Sequence, residues 1–264
     1  MTATPPSRVR PAGRTEVKAE GTELSTEYPG LQHQPDRNGG HSWLRRTIRR
    51  FLRTQFGRPA GLWGEVVGRI MARTPSNHER ARWTVSLLEV GPRDRVLEVG
   101  FGPGLAIEEV SRFATQGFVA GLDHSEAMVR QAAKRNAKAV REGRVTLQLG
   151  SASKPPVFSE PFDKIFTINS IHFWTEPTEC LGELRKLLRP GGRIAVTIQP
   201  RSRGATLEDT RIVGAEVSAN LQSAGFVDCR VEIRETNPVP VACALGVRPS
   251  SDLRSPEDGG SSSS

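Results

Sequence analysis

Five residues are spaced so that a single ligand could touch them all: Glu98, Gly100, Gly102, Gly104 and Asp123. The run LEVGFGPG, Leu97 to Gly104, closes an apolar stretch and opens a helical pattern. Glycine at 100 lets a strand turn sharply with no Cβ in the way. Gly102 and Gly104 let a ligand lie against bare backbone and let the next helix pack close. About nineteen residues after Gly104, a second apolar run, FVAGLD, ends on Asp123. A carboxylate there can accept two hydrogen bonds from a ribose diol. The chemistry these residues suit is the binding of an adenosine-containing cofactor.

The charge of the loop narrows the cofactor. Nicotinamide and flavin cofactors bring a pyrophosphate to a helix N-terminus, usually on a G-x-G-x-x-G loop. Here the spacing is G-x-G-x-G, and Glu98 points into the same loop. A carboxylate repels a pyrophosphate and attracts an ammonium. S-adenosylmethionine offers an ammonium, a carboxylate, a ribose and a sulfonium, so the electrostatics select it over NAD. The plain alternatives are a tight strand-to-helix turn at the glycines and a helix cap at Asp123. The two features at this separation favour the cofactor.

Those residues need a scaffold, and the periodicity supplies one. RVLEV (95–99), FVAGLD (118–123), VTLQLG (145–150), DKIFTIN (163–169) and RIAVTI (193–198) read as strands. Helical patterns lie between them: Gly104 to Arg112, the segment capped by Ser125, Thr178 to Leu188, and the stripe Val213, Val217, Leu221, Ala224. FVDCRVEIRE and VACALGV follow as two strands with no helix between them, so they run antiparallel to one another. The pattern predicts an α/β fold: a Rossmann-like, seven-stranded, mostly parallel sheet with helices on both faces, its last strand antiparallel, and an N-terminal helical cap. Such sheets bind ligands at the carboxyl ends of their strands, where strand order reverses.

Four regions are expected: a disordered arm (1–40), the helical cap (41–90), the cofactor-binding domain (91–248) and a disordered tail (249–264). In the cap, Trp43 to Phe56 repeats Leu44, Ile48, Leu52 and Phe56 among arginines. This amphipathic basic helix could touch an anionic membrane surface; packing on the main domain is the favoured reading. The net charge is +8, yet of 37 basic residues only six are lysine, a skew that composition alone could explain. Nucleic acid is therefore not expected as a partner. No apolar run of membrane-spanning length, no signal peptide and no twin-arginine export signal is read, which places the protein in the cytoplasm. Cys180, Cys229 and Cys243 lack metal-type spacing, so no metal site is expected.

The motifs together resemble the class I S-adenosylmethionine-dependent methyltransferases. Glu98 to Gly104 looks like their first motif and Leu122-Asp123 like their second. Arg189-Pro190-Gly191-Gly192 with the strand after it is similar to their turn and fifth strand. NSIHFWTEP (169–177) resembles the segment after strand four in the small-molecule subgroup that includes ubiquinone and menaquinone C-methyltransferases. The resemblance implies that Glu98 and the glycines line the methionine portion and that Asp123 holds the ribose. It places His124 beside the adenine, Ser151 and Ala152 at the adenine's other edge, and Asn169 facing the methionine. Many relatives carry an aspartate where Ser151 stands.

The resemblance also implies in-line methyl transfer to a small-molecule acceptor by a monomer or homodimer. His172 is the candidate base; its alternative is packing beside Phe173 and Trp174. Cover for the site is expected from the helices before Leu88, with Trp63, His78, Arg82 and Trp83 as inner-surface candidates. Two other readings stand beside this one: an RNA or protein methyltransferase docking through the basic helices, and a non-catalytic cofactor-binding module. Asn169-Ser170-Ile171-His172 departs from the Asn-Pro-Pro-Tyr sequence of enzymes that methylate exocyclic base amines.

Overall fold

The computed structural model describes residues 74–250 apart from 201, 203 and 238. The expected arm, the expected basic helix at 43–56, Trp63 and tail residues 251–264 lie outside the described residues.

Helix α1 (Pro75–Leu88) starts with a proline, whose missing N–H would have had no partner in the first turn. Then come β1 (Arg95–Val99), α2 (Leu105–Phe113), β2 (Phe118–Asp123), α3 (Glu126–Arg135), α4 (Ala137–Arg141) and β3 (Val145–Leu149). Strand β4 (Phe162–Ile168) leads through one 3-10 turn (Ile171–Phe173) to α5 (Pro177–Leu187) and β5 (Leu188–Ile198). The domain closes with α6 (Leu207–Ser223), β6 (Val227–Arg234) and β7 (Val241–Val247).

The strands form one sheet in the order β3-β2-β1-β4-β5-β7-β6. β7 is antiparallel to both β5 and β6, and the other pairings are parallel. Strand order reverses between β1 and β4, so their carboxyl ends diverge and open a crevice. Strands covered on both faces need apolar residues at nearly every position, which is why β1, β2 and β7 are almost continuously buried. Alternate residues feed two cores. Val96, Val119, Val145, Phe166 and Ala195 pack with α1, α2 and α3. Leu97, Leu122, Ile165, Ile194 and Val196 pack with α5 and α6.

Strand β5 begins at Leu188, not at the Arg193 expected from periodicity. Leu188 pairs with Phe162, the chain bulges through Arg189–Gly192, and the ladder resumes at Arg193 opposite Lys164. Gly191 makes the bulge at φ 74°. The Arg248 guanidinium donates to the carbonyls of Arg185, Lys186 and Leu188 and so satisfies the open end of α5.

The described part of the expected cap is α1. Ala81, Val85 and Leu88 put it in the same core as α2. Arg82 is exposed and Trp83 packs at that core's margin, whereas the arginine turned inward is Arg80, 8% exposed.

Helix α6 carries a reciprocal N-terminal cap: the Thr206 hydroxyl accepts from the Asp209 N–H, and the Asp209 carboxylate accepts from the Thr206 N–H. Thr206→Ala should cost about 1 kcal/mol. Scanning calorimetry should show the melting temperature falling by about 2–4 °C, with Thr206→Ser restoring most of it.

Candidate active site

The loop after β1 is held from several sides before any ligand arrives. Its three glycines all have positive φ: 76° at Gly100, 52° at Gly102 and 78° at Gly104. At two of them the missing side chain makes room for the protein itself. A Cβ on Gly100 would lie 2.3 Å from the Ser170 Cβ, and one on Gly104 would lie 2.7 Å from the Ala132 Cβ of α3. Gly100 thus admits the chain leaving β4, and Gly104 admits α3. The Ser170 hydroxyl donates to the Val99 carbonyl at 3.0 Å, joining the diverging ends of β4 and β1. On the other side, Asn136 donates to the Gly104 carbonyl at 3.1 Å and Arg135 to that of Pro103 at 3.0 Å. A loop fixed this way presents its backbone without first being ordered by a ligand.

Two carboxyl groups lie buried beneath this loop. Glu98, on β1, is 2% exposed and accepts a hydrogen bond from the Ile107 N–H. Ile107 is the third residue of α2, and Gly104 at the helix N-cap has no side chain to offer. Glu98 therefore caps α2 from a neighbouring strand. Its Oε2 is buried with no hydrogen-bond partner among the described residues. Asp123, 5% exposed, accepts from the Gly102 N–H at 2.8 Å and the Ser125 N–H at 2.9 Å. Each carboxylate oxygen accepts two hydrogen bonds, so capacity for a ligand hydroxyl remains.

Burial pushes the Glu98 carboxyl well above the usual glutamate value, and the nearby Asp123 charge pushes it further. Burial also raises Asp123, against the backbone N–H bonds from Gly102, Ser125 and His124 and the nearby His124 ring, which favour its ionised form. Uncompensated, this is an expensive arrangement. A cation held over the loop offsets it.

The other expected residues follow the carboxyl ends of β2, β3 and β4. His124 is partly exposed, with Nδ1 3.8 Å from the Asp123 Oδ1. After β3, Ser151 is exposed and its hydroxyl hydrogen-bonds that of Ser153 at 2.9 Å, while Ala152 is buried. Asn169 follows β4 in the left-handed region, φ 56°. Its Oδ1 accepts from the Gln199 N–H at 2.8 Å, which leaves the Nδ2 hydrogens to face outward from that bond. His172 sits in the 3-10 turn with Nε2 3.3 Å from the Gln199 carbonyl. The alternation pattern did not single out Gln199, although it is the first residue beyond the carboxyl end of β5. Nor did it single out Arg80 or Ser170. An open hollow of about 450 Å3, lined by Gly91 to Asp94 and Gln116, lies at the amino end of β1, opposite the glycine loop.

A seven-stranded sheet with one reversed strand, an acid-and-glycine loop after β1 and a buried acid ending β2 defines a nucleoside-cofactor site. The chain is similar to known proteins. The profile of a methyltransferase domain family matches residues 96–192. An uncharacterised methyltransferase of Bacillus subtilis, YdaC, is 32% identical over 184 residues, covering 70% of this chain and 98% of that protein. The ubiquinone/menaquinone biosynthesis C-methyltransferase UbiE of Geotalea daltonii is 28% identical over 116 residues, covering 44% of this chain and 49% of that protein. Among solved structures, a SAM-dependent methyltransferase from Aquifex aeolicus shares the fold, with a TM-score of 0.57 and 22% identity over 70% of this chain and 98% of that one. The chain belongs to the class I S-adenosylmethionine-dependent methyltransferases.

The site fits that cofactor: the orphaned Glu98 oxygen suits a cation, and Asp123 retains acceptor capacity for a ribose hydroxyl. The folded state holds the Glu98 proton more tightly than the unfolded chain does. The stability this gives is full below 4.5, the ordinary glutamate value, and is lost as pH rises through the elevated folded value. Glu98→Gln keeps an acceptor for Ile107 and carries no charge. Without ligand at neutral pH it should be more stable than wild type by about 1–3 kcal/mol. Denaturant titrations across pH 4–8 should show the wild type losing stability on this account while the variant does not. Equal slopes for the two proteins would refute the assignment.

Proposed function

We propose that the enzyme methylates a small-molecule acceptor. On this reading Glu98, Gly100, Gly102, Gly104 and Asn169 line the methionine end of the cofactor, Asp123 the ribose, and His124, Ser151 and Ala152 the adenine. The observation that carries it is the Glu98–Asp123 pair under the glycine loop, because a buried acid pair suits a cationic nucleoside and repels a pyrophosphate.

Two features favour a small acceptor over RNA. The link from β5 to α6, residues 199–206, is short and provides no docking domain. Basic side chains on the described surface are interleaved with acids: Arg112 with Glu108 and Glu109, Arg130 with Glu126, Arg144 with Glu142, and Arg234 with Glu79. Such exposed pairs contribute little stability, but they break up any continuous phosphate-binding face. UbiE, by its name a quinone-pathway C-methyltransferase, makes electron-rich rings the first acceptors to try. The three free thiols among the described residues suit a reducing cytoplasm.

When bound, the cofactor supplies a methyl group already attached to a good leaving group. The chain's part is to align the acceptor and take up its proton. Orientation of this kind is worth about 7–11 kcal/mol in favourable cases. A backbone carbonyl only accepts hydrogen bonds, so the Nε2 facing the Gln199 carbonyl carries the ring proton. The basic nitrogen of His172 is then Nδ1, which takes the proton from the acceptor's O–H, N–H or acidic C–H as its bond to methyl forms. The products are methylated acceptor, S-adenosylhomocysteine and an imidazolium that returns its proton to solvent.

Calorimetry with S-adenosylmethionine, S-adenosylhomocysteine and NAD tests the cofactor half. The first two should bind in the micromolar range, about 10–100-fold more weakly to Asp123→Ala, and NAD should not bind. Release of S-adenosylhomocysteine over a panel of hydroquinones, phenols and amines tests the acceptor half. Cofactor binding without turnover on any of them, together with a steep salt dependence of RNA binding, would favour the nucleic-acid reading instead.

A further inference from the structure

The geometry points to Gln199 as a positioning residue that fixes which nitrogen of His172 is basic and which way the Asn169 amide faces. This rests on the reading that places His172 and Asn169 beside the reacting groups.

All four hydrogen-bonding groups of Gln199 are engaged, each with a different element. Its side-chain Oε1 accepts from Arg80 of α1 at 2.5 Å. Its Nε2 donates to the Val239 carbonyl, before β7, at 2.5 Å. Its backbone N–H donates to the Asn169 Oδ1 at 2.8 Å, and its backbone carbonyl faces the His172 Nε2 at 3.3 Å. The side chain is thus tied to the scaffold at both ends, while the backbone it fixes holds the two site residues.

The scaffold side is rigid. Arg80 also donates to the Asn77 side chain at 2.8 Å, within its own helix. One turn later, the Thr84 hydroxyl meets the Thr197 hydroxyl at 2.7 Å with both residues fully buried, so α1 is registered to β5 just ahead of Gln199. The site side needs holding. Asn169 lies at φ 56°, a conformation that costs a non-glycine residue energy and persists only where its surroundings impose it. The Gln199 N–H imposes it and turns the amide nitrogen outward. Through the carbonyl of the same residue, His172 keeps its proton on Nε2 and its lone pair on Nδ1.

The residue type fits the task. A glutamate would keep the Arg80 contact but set an anion against the Val239 carbonyl. An asparagine is one methylene shorter and could not span from Arg80 to Val239. Methionine has the right length and neither hydrogen bond.

The test reads the side chains directly by nitrogen-15 NMR on the full chain, with His172→Gln and Asn169→Ser assigning the signals. Wild type should show His172 protonated on Nε2, with that proton sheltered from exchange with water, and one well-defined pair of Asn169 amide protons. Gln199→Met and Arg80→Met should each lose the sheltered imidazole proton and shift the Asn169 amide. The double variant should lose no more than either single one, and Arg80→Lys, which keeps a donor for the Gln199 Oε1, should retain both signals. Gln199→Met and Arg80→Met should still bind S-adenosylmethionine, with affinity lowered by no more than Asn169→Ser lowers it.

Signals unchanged in a folded Gln199→Met would overturn the proposal. So would a wild-type His172 protonated on Nδ1, a result that needs no variant and so decides the matter even where the variants fold poorly. Failure of the wild type to bind S-adenosylmethionine would sink the functional reading separately, because the His172 and Asn169 signals do not depend on the cofactor.

Discussion

A carboxyl group beneath the first turn of a helix, with one of its two oxygens unpartnered among the described residues, is the constraint on which this site is built. Glu98 gives one hydrogen bond's worth of acceptance to the Ile107 N–H and leaves Oε2 with no partner among the described residues. A folded protein rarely leaves a buried acid in that state unless something else completes it. The second acid, Asp123, raises the strain because its charge adds to the cost of ionising Glu98. Ionising both groups is costly when the cradle is empty and less so beside a cation. Stability has been given up where binding needs it, a common exchange at functional sites.

The sheet topology turns that local charge into a site with two halves. At the switch point between β1 and β4, Ser170 bonds back to Val99 and keeps the two strand ends in register as they part. The half on the β1–β2–β3 side is shaped by α3, which fills the space over Gly104 and holds the loop carbonyls through Arg135 and Asn136. The half on the β4–β5 side is shaped by α1 and the segment before β7, both acting through Gln199. On the proposed reading, cofactor and acceptor meet between two separately braced walls. Such a division lets acceptor chemistry change through the second wall while the first is left alone.

Much of this was legible in the sequence, and the limits were physical ones. Strand and helix alternation, the acid at the end of β2 and the glycine spacing depend on local periodicity and turn chemistry, which the chain writes out residue by residue. The purpose of individual glycines was not legible. Gly100 read as a sharp turn and Gly104 as room for a ligand and the following helix, yet a Cβ at either would strike Ser170 or Ala132, contacts from chain 70 and 28 residues away. Arg80 and Gln199 escaped for the same reason. They meet across 119 positions, and nothing about an arginine in an amphipathic helix says that it, and not Arg82, turns inward. The early start of β5 depended on Arg248, beyond the end of β7, bonding to Gly191 and Gly192.

The most direct test of the Glu98 account is the proton balance of cofactor binding. Titrating the protein with S-adenosylmethionine at neutral pH, in buffers of different ionisation enthalpy, reads how many protons leave the complex as it forms. If the empty cradle keeps Glu98 protonated and the cofactor's ammonium takes the proton's place, binding to the wild type should release up to one proton per site. Binding to Glu98→Gln should release none. Apparent enthalpies that are the same in every buffer for the wild type would contradict the account.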